Sequence, residues 1–275
     1  MRRASSLFAV IVLGSGLMLW GAAQAALLEG DDARWTKQEY KELPAKEADM
    51  AQLYLTRADS LRLSWERLLT EERMAPTGRN TRDTIIGRYD NLIDRWPETQ
   101  YAAQAQYRIL TMYGNTLDMT RVQHAYNKLI RHFPHSQYAM DAHLLVGLLY
   151  LETLKRPERA VRYFEAVPNP QTEGQNTADA GESTAAEGGE SETSARQRRL
   201  TPLEEYHLNA QIHLVKCHVY LKEIPQAERI IDNLKKRYPE QAERIDTAFV
   251  AIKADVEDIE EERRGIQRLL RILRQ

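Results

Sequence analysis

The chain has 275 residues, enough for one large domain or two small ones with a sizeable buried core. Its 38 basic and 40 acidic side chains nearly cancel, and no run of Lys and Arg alternates with aromatics, which sets a bulk nucleic-acid binder aside. Ala, Leu, Glu, Arg and Gln dominate and β-branched runs are scarce, a helix-forming composition.

The N-terminus reads MRRASSLFAVIVLGSGLMLWGAAQAALLEG. Arg2 and Arg3 give a positive start, Leu7 to Trp20 is apolar, and Ala23-Gln24-Ala25 is a small-residue cleavage site. This is the pattern of a secretory signal peptide over residues 1–25, cut before Ala26. The rival reading is an uncleaved anchor, because Leu7 to Leu28 carries no charge and is long enough to cross a bilayer. On either reading the arginines stay in the cytoplasm and the rest is exported. Cys217 is the single cysteine, so no internal disulfide framework is expected, and no acylation site ends the signal peptide.

Residues 26–46, with Trp35 and Pro44, show no clear period and read as extended or irregular. Glu47 to Met74 reads as one long helix with Tyr54, Leu61, Trp65 and Leu68 on a common face. Pro76-Thr77-Gly78 is a turn, and Arg79 to Trp96 is the returning helix.

From there the chain repeats itself. YDNLIDRWPETQYAAQAQYRIL begins at Tyr89, and YNKLIRHFPHSQYAMDAHLLVG begins 37 residues later at Tyr126. One helical pattern, apolar-x3-apolar-x2-Leu-x4-Pro, occurs as Ile85, Tyr89, Leu92, Pro97. It returns as Val122, Tyr126, Leu129, Pro134, and as Ala227, Ile231, Leu234, Pro239. Steps of four and three put the first three positions on one face, and the proline ends the helix. A partial copy, Ala160-x3-Phe164-x2-Val167, is cut short by Pro168. The intervening helices repeat as well. Gln106-x2-Ile109-Leu110-x2-Tyr113 matches His143-x2-Val146-Gly147-x2-Tyr150 and His213-x2-Lys216-Cys217-x2-Tyr220. Each unit is a helical hairpin that cannot bury its apolar face alone, so copies are expected to stack. The array divides into residues 47–167 and a last hairpin, 202–240.

Between them, Asn169 to Arg199 has no Val, Ile, Leu, Met or aromatic residue. Such a segment cannot offset its ordering entropy, so residues 168–201 are expected to be a disordered insert. Removing it restores a spacing of about 34 residues, the length of this repeat class.

After Pro239, residues 241–275 read as a helix that caps the array, with Ala248, Phe249, Ile252, Val256 and Ile259 on one face. It ends in RRGIQRLLRILRQ, where Ile266, Leu269, Leu270 and Leu273 form an apolar stripe and Arg264, Arg268, Arg271 and Arg274 lie mainly opposite. That pattern suits contact with a partner or with a membrane surface.

Little here points to chemistry. His213 and Cys217 share a helical face and are half of a zinc site. Repeat register accounts for both without a metal, because Cys217 aligns with Gly147 where helices pack closely and His213 aligns with His143 and Gln106. His132 and His135 flank Pro134 in a turn. No phosphate-binding glycine loop, nucleophile elbow or H-E-x-x-H is present. The expectation is a non-enzyme with no cofactor and no metal.

The repeat spacing resembles the tetratricopeptide signature. The phrase from Tyr126 to Ala139 is similar to repeats of the outer-membrane assembly lipoproteins (BamD-like) and of the periplasmic division coordinators (CpoB-like). The resemblance covers residues 79–240. It implies a right-handed all-α solenoid in the periplasm that holds an envelope protein or peptide on its concave face. The first alternative is an assembly factor tethered to the membrane by the N-terminal anchor or the arginine-rich end, and the last is a metal-dependent enzyme using His213 and Cys217.

Overall fold

A computed structural model describes residues 39–70, 78–170 and 200–272. The signal peptide, Trp35, the turn residues Pro76 and Thr77, residues 171–199 of the expected insert, Leu273 and Arg274 lie outside the described residues. Among the described residues every regular element is helical. The helices are α1 (Ala45–Thr70), α2 (Gly78–Arg95), α3 (Gln100–Asn115), α4 (Met119–His132) and α5 (Gln137–Leu148). A π-turn (Leu149–Thr153) follows, then α6 (Pro157–Glu165), α7 (Pro202–Tyr220), α8 (Ile224–Arg237), a 3₁₀ turn (Pro239–Gln241) and α9 (Ala242–Ile272). The chain forms two compact units, Met1–Leu149 and Tyr150–Gln275.

In the first unit consecutive helices pack as neighbours, and α1, α3 and α5 also touch in series. The core is built from the repeat positions. Ile85, Tyr89 and Leu92 of α2 and Val122, Tyr126 and Leu129 of α4 are all buried. The chain leaves each of these helices through a buried aromatic, Trp96 or Phe133, whose N–H donates to Leu92 O at 3.0 Å or Leu129 O at 2.8 Å. A proline follows, and then a hydroxyl caps the next helix. Thr99 Oγ1 accepts from Ala102 N at 3.3 Å, and Ser136 Oγ accepts from Ala139 N at 3.1 Å. Both caps also donate back, to Trp96 O and Phe133 O, so each buried hydroxyl satisfies two otherwise orphaned groups.

The face expected on α1 is corrected. Trp65 is buried, but Tyr54, Leu61 and Leu68 are 37%, 40% and 42% exposed. The buried stripe is Ala51, Leu55, Ala58, Arg62 and Trp65, again in steps of four and three. Two small alanines and a charged residue hide it from a count of large apolar side chains.

In the second unit, α8 buries Ala227, Ile231 and Leu234 and leaves through buried Tyr238, with the same N–H bond to Leu234 O at 2.8 Å. Leu208, Val215 and Val219 of α7 and Ile245 and Ile252 of α9 complete that core. Ala160, Phe164 and Val167 are buried as well. The described ends of the expected insert are corrected too. Leu200 packs on this core, and Thr201 caps α7 in a reciprocal box with Glu204. Asn169 Oδ1 accepts from Arg237 Nη1.

Three turns repeat in conformation as well as in sequence. Leu117, Lys155 and Lys222 all have left-handed backbone, with φ of 54°, 53° and 64°. Each lies five residues before its repeat's first apolar position, Val122, Ala160 or Ala227. The third copy carries one extra residue, since Gln106 to His143 spans 37 positions but Val122 to Ala160 spans 38. The π-turn lies where that residue must be absorbed, and single-residue insertions into helices take this form. The closing bond lengthens to match. Asp118 N and Glu223 N reach back five residues, to Tyr113 O and His218 O, whereas Arg156 N reaches back six, to Tyr150 O.

Candidate functional site

The first unit gathers its polar side chains on one face, where α1 and α3 adjoin. Asp59, Arg62 and Glu66 share the α1 surface at helical spacing. Arg62 is nearly buried, and its Nη1 donates to both Glu66 oxygens at 2.6 and 2.7 Å. Its Nε donates to Asp59 Oδ1 at 3.4 Å. Tyr89 reaches over from α2, and its hydroxyl donates to Asp59 Oδ1 at 2.6 Å. Arg108 of α3 brings a second guanidinium, with Nε 3.4 Å from the same oxygen, and Asn115 Nδ2 donates to Glu66 Oε1 at 3.3 Å.

The charges on this face balance. Burial raises the Glu66 carboxyl above its usual range, opposed by Arg62 and Arg108. Burial also works against the Arg62 charge, but Glu66, Tyr89 and Asp59 outweigh it and hold the guanidinium protonated. Burial, together with Asp59, keeps the Tyr89 hydroxyl neutral, so it acts as a donor. Arg108 is more open than Arg62, with 29% of its side chain exposed against 5%. The cluster therefore has a fixed inner layer and an accessible outer cation.

Next to Arg108 stands Tyr107, tilted 33° against Tyr138 of α5 with ring centroids 6.0 Å apart. Burial raises both hydroxyls above the ordinary phenol range, and Asp141 adds to the effect. Tyr40, in the segment ahead of α1, lies 6.4 Å from the Phe133 ring and is pushed up to about 12 by burial, against a hydrogen bond with Ser136. A cation, two half-buried tyrosines and a carboxylate on adjoining first helices can hold a polar, extended ligand by hydrogen bonding and ring contact.

The residues singled out in sequence fall into four groups. Ile85, Tyr89, Leu92, Val122, Tyr126, Leu129, Gly147, Tyr150, Ala160, Phe164, Cys217, Ala227, Ile231 and Leu234 are buried. Pro97, Pro134 and Pro239 are exposed stops, beside exposed His132 and His135. Tyr113 and Tyr220 are half-buried beneath cations. Arg82 and Arg121 lie 5.5 and 5.6 Å from the Tyr113 ring centroid, and Lys216 lies 5.9 Å from that of Tyr220. Arg264 and Arg268 are exposed on α9, whereas Arg271 lies in the helix without a described side chain.

Histidine at the Gln106 position has a packing role. His143 Nδ1 is 2.8 Å from Tyr126 Oη, edge to face, and burial lowers the imidazole to about 4. His213 stacks on Phe164 at 5.3 Å, and burial again lowers it to about 4. Tyr126 and Phe164 hold the same place in their repeats, so each imidazole meets the same ring position of the preceding helix. Burial pushes the Cys217 thiol up to about 12, and His218 turns to Glu223 Oε2 at 2.7 Å. Among the described residues no three His, Cys, Asp or Glu side chains group as metal ligands.

Sequence reasoning missed Asp59, Arg62, Glu66 and Arg108. Their only signal was the i, i+3, i+4 spacing of opposite charges on α1. No protein-family model, no curated protein and no solved structure matches this chain.

Proposed function

We propose that this chain is an exported scaffold that works in the periplasm, built as a right-handed α-solenoid of tetratricopeptide-like hairpins, and that it joins proteins during outer-membrane or peptidoglycan assembly. The observation that carries this reading is the recurrence, in register, of a whole local geometry. The buried triplet returns in all four copies, the aromatic exit in three of them, at Trp96, Phe133 and Tyr238, and the left-handed turn in three, at Leu117, Lys155 and Lys222. Repeats of this kind present their first helices as a ligand face. Here that face carries Arg108, Tyr107 and Tyr138, which suit a peptide or helix with exposed carboxylates and carbonyls. The role is recognition, without a cofactor or a bond-changing step.

The test is in-cell crosslinking of the tagged protein, with mass spectrometry of what is captured and fractionation of the cells. Recovery of β-barrel assembly components, or of Tol and peptidoglycan-synthesis proteins, from a periplasmic pool supports the proposal. A cytoplasmic pool that captures neither group contradicts it. Retention in the membrane fraction until residues 1–25 or 263–275 are removed would favour a tethered assembly factor.

A further inference from the structure

The face that carries Tyr107, Tyr138 and Arg108 is rich in donors that the chain itself does not use. Among the described residues neither tyrosyl hydroxyl makes a hydrogen bond. Arg108 approaches Asp59 through Nε at 3.4 Å without closing a hydrogen bond, and its terminal nitrogens bond to no other described residue. The nearest acceptors, by contrast, are taken. Asp59 Oδ1 accepts from Tyr89 and Arg62, both Glu66 oxygens accept from Arg62, and one of them also accepts from Asn115.

This imbalance separates the polypeptide ligands that the face could take. A helix spends its carbonyls on its own N–H groups. An extended strand brings one N–H for each carbonyl and would bury donors where the acceptors are already engaged. An acidic peptide meets Asp59, Glu66 and Asp141 as well as Arg62 and Arg108, so its charge gains nothing overall. A polyproline II segment has no internal hydrogen bonds, and at each proline it offers a carbonyl with no N–H beside it.

The rings on this face suit the same ligand. Tyr107 and Tyr138 stand tilted by 33° with centroids 6.0 Å apart. Tyr40 adds a third ring, close enough to Tyr138 to help raise its hydroxyl. A hydrogen bond with Ser136 holds Tyr40, and Lys41 N donates to Glu98 O at 2.9 Å beside it. Aromatic-lined grooves are the usual seats of polyproline segments, because the preformed helix loses little entropy on docking. Helices packed 8–10 Å apart make a face roughly 20 Å wide across α1, α3 and α5, the length of about six polyproline residues.

We propose that this face of the first unit takes a proline-rich segment in the polyproline II conformation, with carbonyls on Tyr107, Tyr138 and Arg108 and prolines on the tyrosine rings. The proposal rests on the reading of this face as the partner site and adds the chemistry of the ligand.

Fluorescence anisotropy of labelled decaproline titrated with the full chain tests it. Saturable binding is expected, with decaglutamate and a glycine–serine decapeptide weaker by roughly tenfold or more. Tyr107→Phe with Tyr138→Phe keeps both rings and removes both donors, so it should weaken decaproline roughly tenfold. Neither hydroxyl is bonded within the described chain, so this variant should melt at the parent temperature. Decaglutamate that binds more tightly than decaproline overturns the proposal, as does a double variant that binds as well as the parent. Decaproline that fails to bind a chain still crosslinked to a partner through Tyr107 also overturns it, but leaves the face standing as the partner site. Failure of both the crosslink and the titration overturns the two readings together.

Discussion

At the scale of single residues, one position per repeat shows how packing decides identity. Gln106, His143 and His213 occupy it in turn. His143 and His213 lie against a ring of the preceding helix, where an imidazole is tolerated only if neutral. Burial lowers both to about 4, and lowers His207, beside Arg237, to about 4 as well. Because these folded values lie below the unfolded value near 6.5, the unfolded state binds protons first as pH falls. Each histidine therefore leaves stability intact above about pH 6.5 and removes up to ~1.4 kcal/mol per pH unit below it, down to its folded value. Chemical denaturation at pH 7 and pH 5 should show this loss. His143→Gln, which copies the residue already used at position 106, should reduce it in the first unit. Equal pH slopes for the variant and the parent chain would contradict the assignment. The equivalent leucines make a second residue-scale prediction. Leu92→Ala and Leu129→Ala each empty a fully buried site, and each should cost about 2–5 kcal/mol in urea denaturation. Arg62→Met probes the polar face. It strands the half-buried Glu66 and Asp59 carboxylates, so it should destabilise by about 1–3 kcal/mol. Arg108→Met, at the more open guanidinium, should spare stability and reduce partner capture.

At the scale of elements, the turns are as repetitive as the helices. Left-handed backbone at Leu117, Lys155 and Lys222 is costly for residues with a Cβ, yet none of the three positions uses glycine. Lys222→Gly should therefore be neutral or stabilising by up to ~1 kcal/mol, whereas Lys222→Val should destabilise by about 1 kcal/mol or more. Thermal melts of the two variants would diverge, and melts that moved together would argue against turn strain. These turns explain much of what the sequence did and did not disclose. The helices of the repeats were legible because three apolar residues recur at fixed steps, followed in three of the four copies by a proline. The turn conformation was not, since Leu and two Lys give no left-handed signal. The π-turn was half legible, because the spacing of 38 against 37 showed an extra residue but not how it was housed. On α1 the signal misled. Ala51, Ala58 and Arg62 line the buried side, while larger Leu61 and Leu68 stay outside.

At the scale of the whole molecule, two kinds of information separate. Apolar periodicity reports which faces are covered, and it located the hairpins and the start of α9. Charge constellations depend on which helices become neighbours, so Asp59, Tyr89 and Arg108 could not be joined from positions up to 49 residues apart. The same division runs through α9, whose apolar residues are first core and then surface. Function rests on the second kind of information, and the proposed ligand face should be tested where it was built. A photo-crosslinking residue placed at Tyr107 or Tyr138, on first helices, should trap a discrete envelope protein in growing cells. The same residue at exposed Thr84, on a second helix, should trap none. Adducts at Thr84 equal to those at Tyr107 and Tyr138, or no adduct at either tyrosine, would contradict the assignment of this face as the partner site.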